Sequence, residues 1–190
     1  MTGLDHKKDR ILEIAVLITN GNLEVVDEGV EFVIKTEKEA LDGMNAWCID
    51  QHGRSGLTQA CLDSPHDYAS VYKSVMDYVK SWVPADRVAI LAGNSVHVDK
   101  LFLMEGMPDL IDHLHYRILG MDSPSKDVST IKELKYRWYP EVIREKTLEN
   151  SHRALDDIRG SIAELQFYRD RIFKTQEEAR AAGGGPAPSS

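Results

Sequence analysis

Apolar positions run almost unbroken through residues 10–19, RILEIAVLIT, and many are β-branched, which predicts a strand buried within a sheet. Asn20-Gly21-Asn22 then signals a hairpin turn, and residues 23–35 alternate enough for one or two further strands, so the chain opens as a β-meander. A short helix is expected over 37–44, and irregular chain over 45–57, where Gly53 and Gly56 punctuate it. Val71, Tyr72, Val75, Val79 and Trp82 share one helical face and predict a helix over 67–82, ended by Pro84. Beyond it the pattern gives a buried strand at 88–92, a turn at Gly93-Asn94-Ser95 and a helix starting at 98–104. A short helix at 108–113, a strand at 115–119, a helix at 130–138 and a loop at 139–150 follow. Ala154, Ile158, Ile162, Leu165 and Ile172 mark the buried face of a final helix over 153–178. The low-complexity end, AAGGGPAPSS, predicts a disordered tail. Strands first, then strands mixed with helices, argue an α/β fold with a mixed sheet.

Composition narrows this picture. One domain is expected for 190 residues. A formal charge of −8 disfavours a protein that grips long nucleic acid along its backbone. Nucleic-acid contacts would be few and local, with metal ions offsetting phosphate charge, which suits a short oligonucleotide better than a long duplex. The charge could equally serve solubility alone. Cys48 and Cys61 have neither metal-ligand spacing nor a disulfide framework, and they read as small buried hydrophobes in a reducing compartment. No apolar run is long enough to span a membrane, and no secretory or Arg-rich presequence stands at the start.

The candidate chemistry lies in two places. In SHRALDDIRGS, at 151–161, His152 precedes Asp157 by five positions where a loop turns into the last helix. A carboxylate there is favoured by the helix's positive end. In LAGNSVHVDKLFL, Asp99 projects near the carboxyl end of a strand, where open α/β sheets place their sites. Two Asp and a His brought together suggest a divalent metal and a general base. Taken singly, each is weak: Asp99 could cap a helix, and His152 with Asp157 could be a solvated helix start.

Met1-Thr2-Gly3-Leu4-Asp5, then DRILEIA from Asp9 to Ala15, Gly93-Asn94-Ser95 with Asp99, His115-Tyr116-Arg117, and His152 to Ile158 occur in this order. In these motifs the chain resembles the oligoribonucleases, 3′→5′ exoribonucleases of the DEDDh group, over residues 1 to about 174. The resemblance implies a ribonuclease H-like mixed β-sheet flanked by helices, with an exonuclease domain at 1–175 and a disordered tail at 176–190. It implies hydrolysis of short oligoribonucleotides, dinucleotides upward, to mononucleotides with two divalent ions, Mg²⁺ or Mn²⁺. Asp99 and Asp157 would be metal ligands and His152 the general base, a role suited to a side chain that titrates near neutrality. Leu4 would wedge between terminal bases and Trp47 would stack on one. His52, Ser95, Arg117 and Ser129 would contact the substrate, with Tyr116 supplied across a homodimer. The compartment would be cytoplasmic, mitochondrial or both.

The chain departs from its family twice. The family's first motif, Asp-x-Glu, stands immediately before Met-Thr-Gly-Leu, and this chain begins at that Met. Two metal-binding carboxylates and the family's first central strand are therefore expected to be absent, the true start is expected upstream, and the activity of the chain as it stands is expected to suffer. The second departure is GMDSPSK at 120–126, a seven-residue insert before Asp127-Val128-Ser129 that puts the placement of Ser129 in doubt. The competing readings are a non-catalytic relic that binds short RNA or a protein partner, and a DNA exonuclease of the same group.

Overall fold

The structure, a computed structural model, describes residues 1–120, 130–142 and 153–182. Strand β1 (Glu13–Val16) pairs antiparallel with β2 (Val30–Val33), Glu13 opposite Val33 and Val16 opposite Val30. A bridge between Thr19 and Val25 carries the hairpin further. The Asn20 side chain holds the turn by accepting the Asn22 and Glu24 N–H groups, and Leu23 takes the left-handed conformation at φ 63°.

The expected strand at 10–19 is thus reduced to four ladder residues. Its first residues pair elsewhere: Thr2 N–H donates to the Arg10 carbonyl at 2.9 Å, and Arg10 N–H donates to Thr2 Oγ1 at 3.0 Å. Ile34 N–H donates to the Leu12 carbonyl, so the chain stays extended beside β2. Successive side chains of an extended chain point to opposite faces. Ile11 accordingly enters one core with Ile34, Val71, Val75, Phe102 and Met107, while Leu12 enters another with Leu41, Met44, Cys48, Leu57 and Cys61. Both cysteines are buried and unbridged, as expected.

Helix α1 (Lys38–Asp42) lies within the expected span. The segment expected to be irregular is instead mostly helical: α2 (Ala46–Arg54) is followed by α3 (Leu57–Asp63). The reason is local, because Asn45 Oδ1 accepts the Cys48 N–H at 2.9 Å and caps α2. Gly53 is simply tolerated inside α2, whereas Gly56, at φ 75°, makes the left-handed joint between the two helices. Asp67 caps α4 (Tyr68–Trp82) by accepting the Ser70 N–H. Val71, Val75 and Val79 are buried on α4, but Trp82 is not: it is 47% exposed, and its indole N–H reaches Asp27, which also accepts from Tyr78.

Strand β3 (Leu91–Gly93) runs parallel to β4 (Ile118–Gly120), with Leu91 opposite Ile118. The strand expected at 88–92 is shorter and shifted, and Val88 and Ile90 are exposed rather than buried. That stretch runs beside the chain around His113 to His115, since His115 N–H donates to the Ala89 carbonyl and Arg87 N–H to the His113 carbonyl. The expected single mixed sheet is found as two separate two-stranded ladders among the described residues, one antiparallel and one parallel. Helices α5 (Val96–Gly106), α6 (Pro108–His113) and α7 (Thr130–Trp138) match their expected places. Helix α8 (Ala154–Ile172) packs against both β1 and β3 and so ties the ladders together.

The last helix does not run on to residue 178. Phe173 leaves α8 in extended conformation. Thr175 and Glu178 then start a new helix by bonding reciprocally to each other's backbone N–H, a capping box. Helix α9 (Gln176–Ala182) follows, so the tail expected from 176 begins as helix, and 183–190 lie outside the described residues. On α8 the apolar stripe is only half-buried; Ser161 and Tyr168 are the deepest side chains.

Candidate active site

The candidate carboxylates stand in the first turns of two helices. Asp99 is in the first turn of α5, which leaves β3 through Gly93-Asn94-Ser95, with Ser95 in the left-handed conformation at φ 47°. Burial pushes the Asp99 carboxyl above its ordinary range; its own backbone N–H, the Met1 amino group and His97 pull the other way. Asp157 is in the first turn of α8, and its side chain is exposed.

The seat of α8 is a residue that the sequence pattern does not single out. Glu13 on β1, its side chain 5% exposed, takes the Arg153 guanidinium at 2.6 Å and the Ala154 N–H at 3.1 Å. Glu31, on neighbouring β2, accepts the Leu155 N–H at 3.3 Å. Two strand carboxylates thus meet the unsatisfied N–H groups and positive end of the helix that carries Asp157. The available signal is an acidic residue inside an otherwise apolar strand run.

One hydrogen-bond chain joins the two candidate carboxylates' surroundings. Asn94, in the turn before α5, donates from Nδ2 to Ser161 Oγ at 2.7 Å, and Ser161 donates to the Asp157 carbonyl at 2.9 Å. Met1 lies on the same side. His52 Nε2 is 2.9 Å from the Met1 carbonyl oxygen, and the Met1 amino group feels the charges of Glu13 and Asp99. Desolvation lowers the His52 pKa and that of the Met1 amine.

The other candidate residues are largely exposed. Leu4 is 81% and Trp47 66% exposed, and Ser95 lies on the surface at the start of α5. Tyr116, 68% exposed, stacks on His115 at 4.5 Å and carries the Arg117 guanidinium 5.3 Å from its ring centre. Lys100 of α5 donates to the Tyr116 carbonyl at 2.8 Å and ties this cluster to the helix of Asp99. His152, Ser129 and residues 121–126 of the insert lie outside the described residues.

Oxygen donors such as Asp99 and Asp157 suit a hard divalent cation. Among the described residues, no three His, Cys, Asp or Glu side chains gather closely enough to hold one. A hard cation held by these two carboxylates would have to complete its shell with waters or other oxygens.

Comparison with known proteins agrees with the order of motifs. Residues 1–165 match the exonuclease family RNase T. The oligoribonuclease of Colwellia psychrerythraea is 47% identical over 174 residues, covering 92% of this chain and 92% of that protein. The mitochondrial oligoribonuclease of Homo sapiens is 48% identical over 175 residues, covering 92% of this chain and 70% of that protein. That of Bos taurus is 46% identical over 181 residues, covering 95% and 73%. With an exonuclease match over most of its length and oligoribonucleases nearly half identical to it, this α/β chain belongs to the exonuclease family, among the oligoribonucleases.

Proposed function

We propose that this oligoribonuclease removes nucleotides one at a time from the 3′ end of short RNA, dinucleotides included, to leave mononucleotides. The observation that carries the reading is the Asn94–Ser161 bond between the turn leading into the Asp99 helix and the helix of Asp157, in a chain nearly half identical to named oligoribonucleases.

In this reading Asp99 and Asp157 are the ligands of divalent ions, two Mg²⁺ or Mn²⁺. Bound there, such ions neutralise the scissile phosphate's charge and favour ionisation of an attacking water. His152 takes the proton from that water. Burial suits Asp99 to metal binding, because a desolvated carboxylate has more to gain from a cation than a hydrated one. Trp47 and Leu4, both largely exposed, offer apolar surface on which a terminal base can stack. His52 helps to contact the substrate, and Ser95 and Ser129 supply further phosphate contacts. Arg117 suits a 5′ phosphate because its planar fork donates two bonds at once, and capping that phosphate restricts the site to very short chains.

A homodimer would bring Tyr116 to the partner's substrate. The supporting feature is exposed apolar surface near Tyr116: Ile118 and Leu119 on β4, and Met104, one helical turn from Lys100 on α5. The compartment is cytoplasmic or mitochondrial, in keeping with the bacterial and mitochondrial relatives. Among the described residues no helix is long and apolar enough to cross a membrane. A purely RNA- or protein-binding relic is not favoured by relatives that carry an enzyme's name over most of their length.

The test is a 5′-labelled five-nucleotide RNA incubated with the protein and Mg²⁺ or Mn²⁺. A ladder shortening by single nucleotides from the 3′ end is expected. Internal cuts, or an equal rate on DNA of the same sequence, would contradict the reading.

A further inference from the structure

We infer that Asn94 and Ser161 are positioning residues, a two-residue clasp that sets the Asp99 helix against the Asp157 helix and so sets the site's affinity for a divalent cation. The inference rests on Asp99 and Asp157 being the metal ligands.

The hydrogen bonds allow only one arrangement. A serine hydroxyl has a single proton. Ser161 spends it on the Asp157 carbonyl four residues back, at 2.9 Å. Ser161 Oγ can therefore only accept from Asn94, so the 2.7 Å contact is a donation from Asn94 Nδ2. The other amide atom, Asn94 Oδ1, is buried with no partner among the described residues. The Asn94 side chain is thus fixed by Ser161 and, among the described residues, by nothing on its oxygen side. Ser161 is itself 6% exposed, so its hydroxyl has little access to replacement water when a bond is lost.

Position makes the clasp consequential. Asn94 sits two residues before α5 and five before Asp99. Ser161 sits one helical turn after Asp157, and bonds that residue's own carbonyl. Glu13 seats α8 on β1, but β1 and β3 belong to separate ladders, so that seat does not register α8 against the β3–α5 turn. The bond across 67 residues of chain between Asn94 and Ser161 does.

The experiment uses Ser161→Ala, Asn94→Ala, their double variant and Asp157→Asn, each in the full chain. Mn²⁺ affinity is read by paramagnetic resonance of the free ion, and the Mg²⁺ concentration for half-maximal cleavage of an RNA dinucleotide is read alongside. Loss of a residue that orients a metal ligand typically weakens metal binding about 10–100-fold. Each single variant should weaken Mn²⁺ at least about tenfold on that scale, and the double variant should be no worse than either single, because both break one bond. Unchanged Mn²⁺ affinity in the single variants, with Asp157→Asn weakened, overturns the clasp and leaves the ligand reading standing. Unchanged affinity in Asp157→Asn overturns the ligand reading and the clasp with it. Additive losses in the double variant also overturn the clasp. Unaltered near-ultraviolet circular dichroism and thermal midpoint in Asn94→Ala separate a lost clasp from a lost fold.

Discussion

Glu13 and Arg153 form the ion pair that seats the last long helix. The guanidinium Nη2 lies 2.6 Å from Glu13 Oε1, and the second carboxylate oxygen takes the Ala154 N–H. One strand side chain therefore neutralises a cation and caps a helix. Glu13 raises the Arg153 pKa chiefly through its hydrogen bond. Breaking a buried pair from one side costs about 3–5 kcal/mol. Arg153 keeps a third of its side-chain surface in water, so part of that is recovered. Glu13→Ala should lose about 2–3 kcal/mol of unfolding free energy in urea titration. A loss within the range of a surface substitution, about 0.5 kcal/mol or less, would contradict this role.

The His52 contact makes stability depend on pH. Burial lowers its folded pKa below the ordinary 6.5. The unfolded chain then takes up a proton more readily than the folded one. The contribution is fully present above 6.5 and is lost as pH falls through the folded pKa. His52→Gln keeps an N–H donor for the Met1 carbonyl and has no titration in this range. The drop in urea midpoint between about pH 7.5 and about pH 5.5 should be smaller in the variant than in the parent chain. An equal drop in both would assign the slope to other groups.

Tyr68 and Gly106 are packed without margin. A β-carbon at Gly106 would stand 2.0 Å from Tyr68 Oη, an oxygen that is buried and without a hydrogen-bond partner among the described residues. An unsatisfied buried hydroxyl costs about 1–3 kcal/mol, so Tyr68→Phe should stabilise the protein, by about 1 kcal/mol on that scale. Gly106→Ala alone should destabilise it by about 1–3 kcal/mol through overpacking. With Tyr68→Phe already in place, the nearest ring carbon is 3.1 Å away, and most of that loss should disappear. Thermal unfolding of the two singles and the double reads this coupling directly.

Trp47 should matter for substrate and not for the fold. At 66% exposure it contributes little to the core. Stacking of one base on an aromatic is worth about 1–3 kcal/mol, or roughly 5- to 150-fold in affinity. Trp47→Ala should raise KM for an RNA dinucleotide within that range and leave the thermal midpoint unchanged. A lowered midpoint with KM unchanged would return Trp47 to a structural role.

Much of the helical architecture is legible in the sequence because apolar spacing and caps agree. Asp67 capping α4 and the stripe Val71, Val75, Val79 are the clearest case. Asp99 and Asp157 are legible as helix-start carboxylates. The helices at 46–54 and 57–63 are not, because Gly53 and Gly56 suggest breaks more strongly than Asn45 suggests a cap. The strand expected at 88–92 fails because an apolar run does not say which side faces a neighbour, and Val88 and Ile90 face water. The break before α9 is written in Thr175 and Glu178 but hidden by continuing helical spacing. Glu13 and the Asn94–Ser161 bond join residues 140 and 67 positions from their partners, and local pattern carries no information at that range.

Asp99 and Asp157 together should support metal-dependent cleavage of very short RNA. The most direct measurement is hydrolysis of a 5′-phosphorylated RNA dinucleotide after treatment with chelator, then with Mg²⁺ restored, in the parent chain, Asp99→Asn and Asp157→Asn. Mononucleotides are expected only from the parent chain and only with the ion present. Cleavage that survives chelation, or that persists undiminished in either variant, would contradict that role for the two carboxylates.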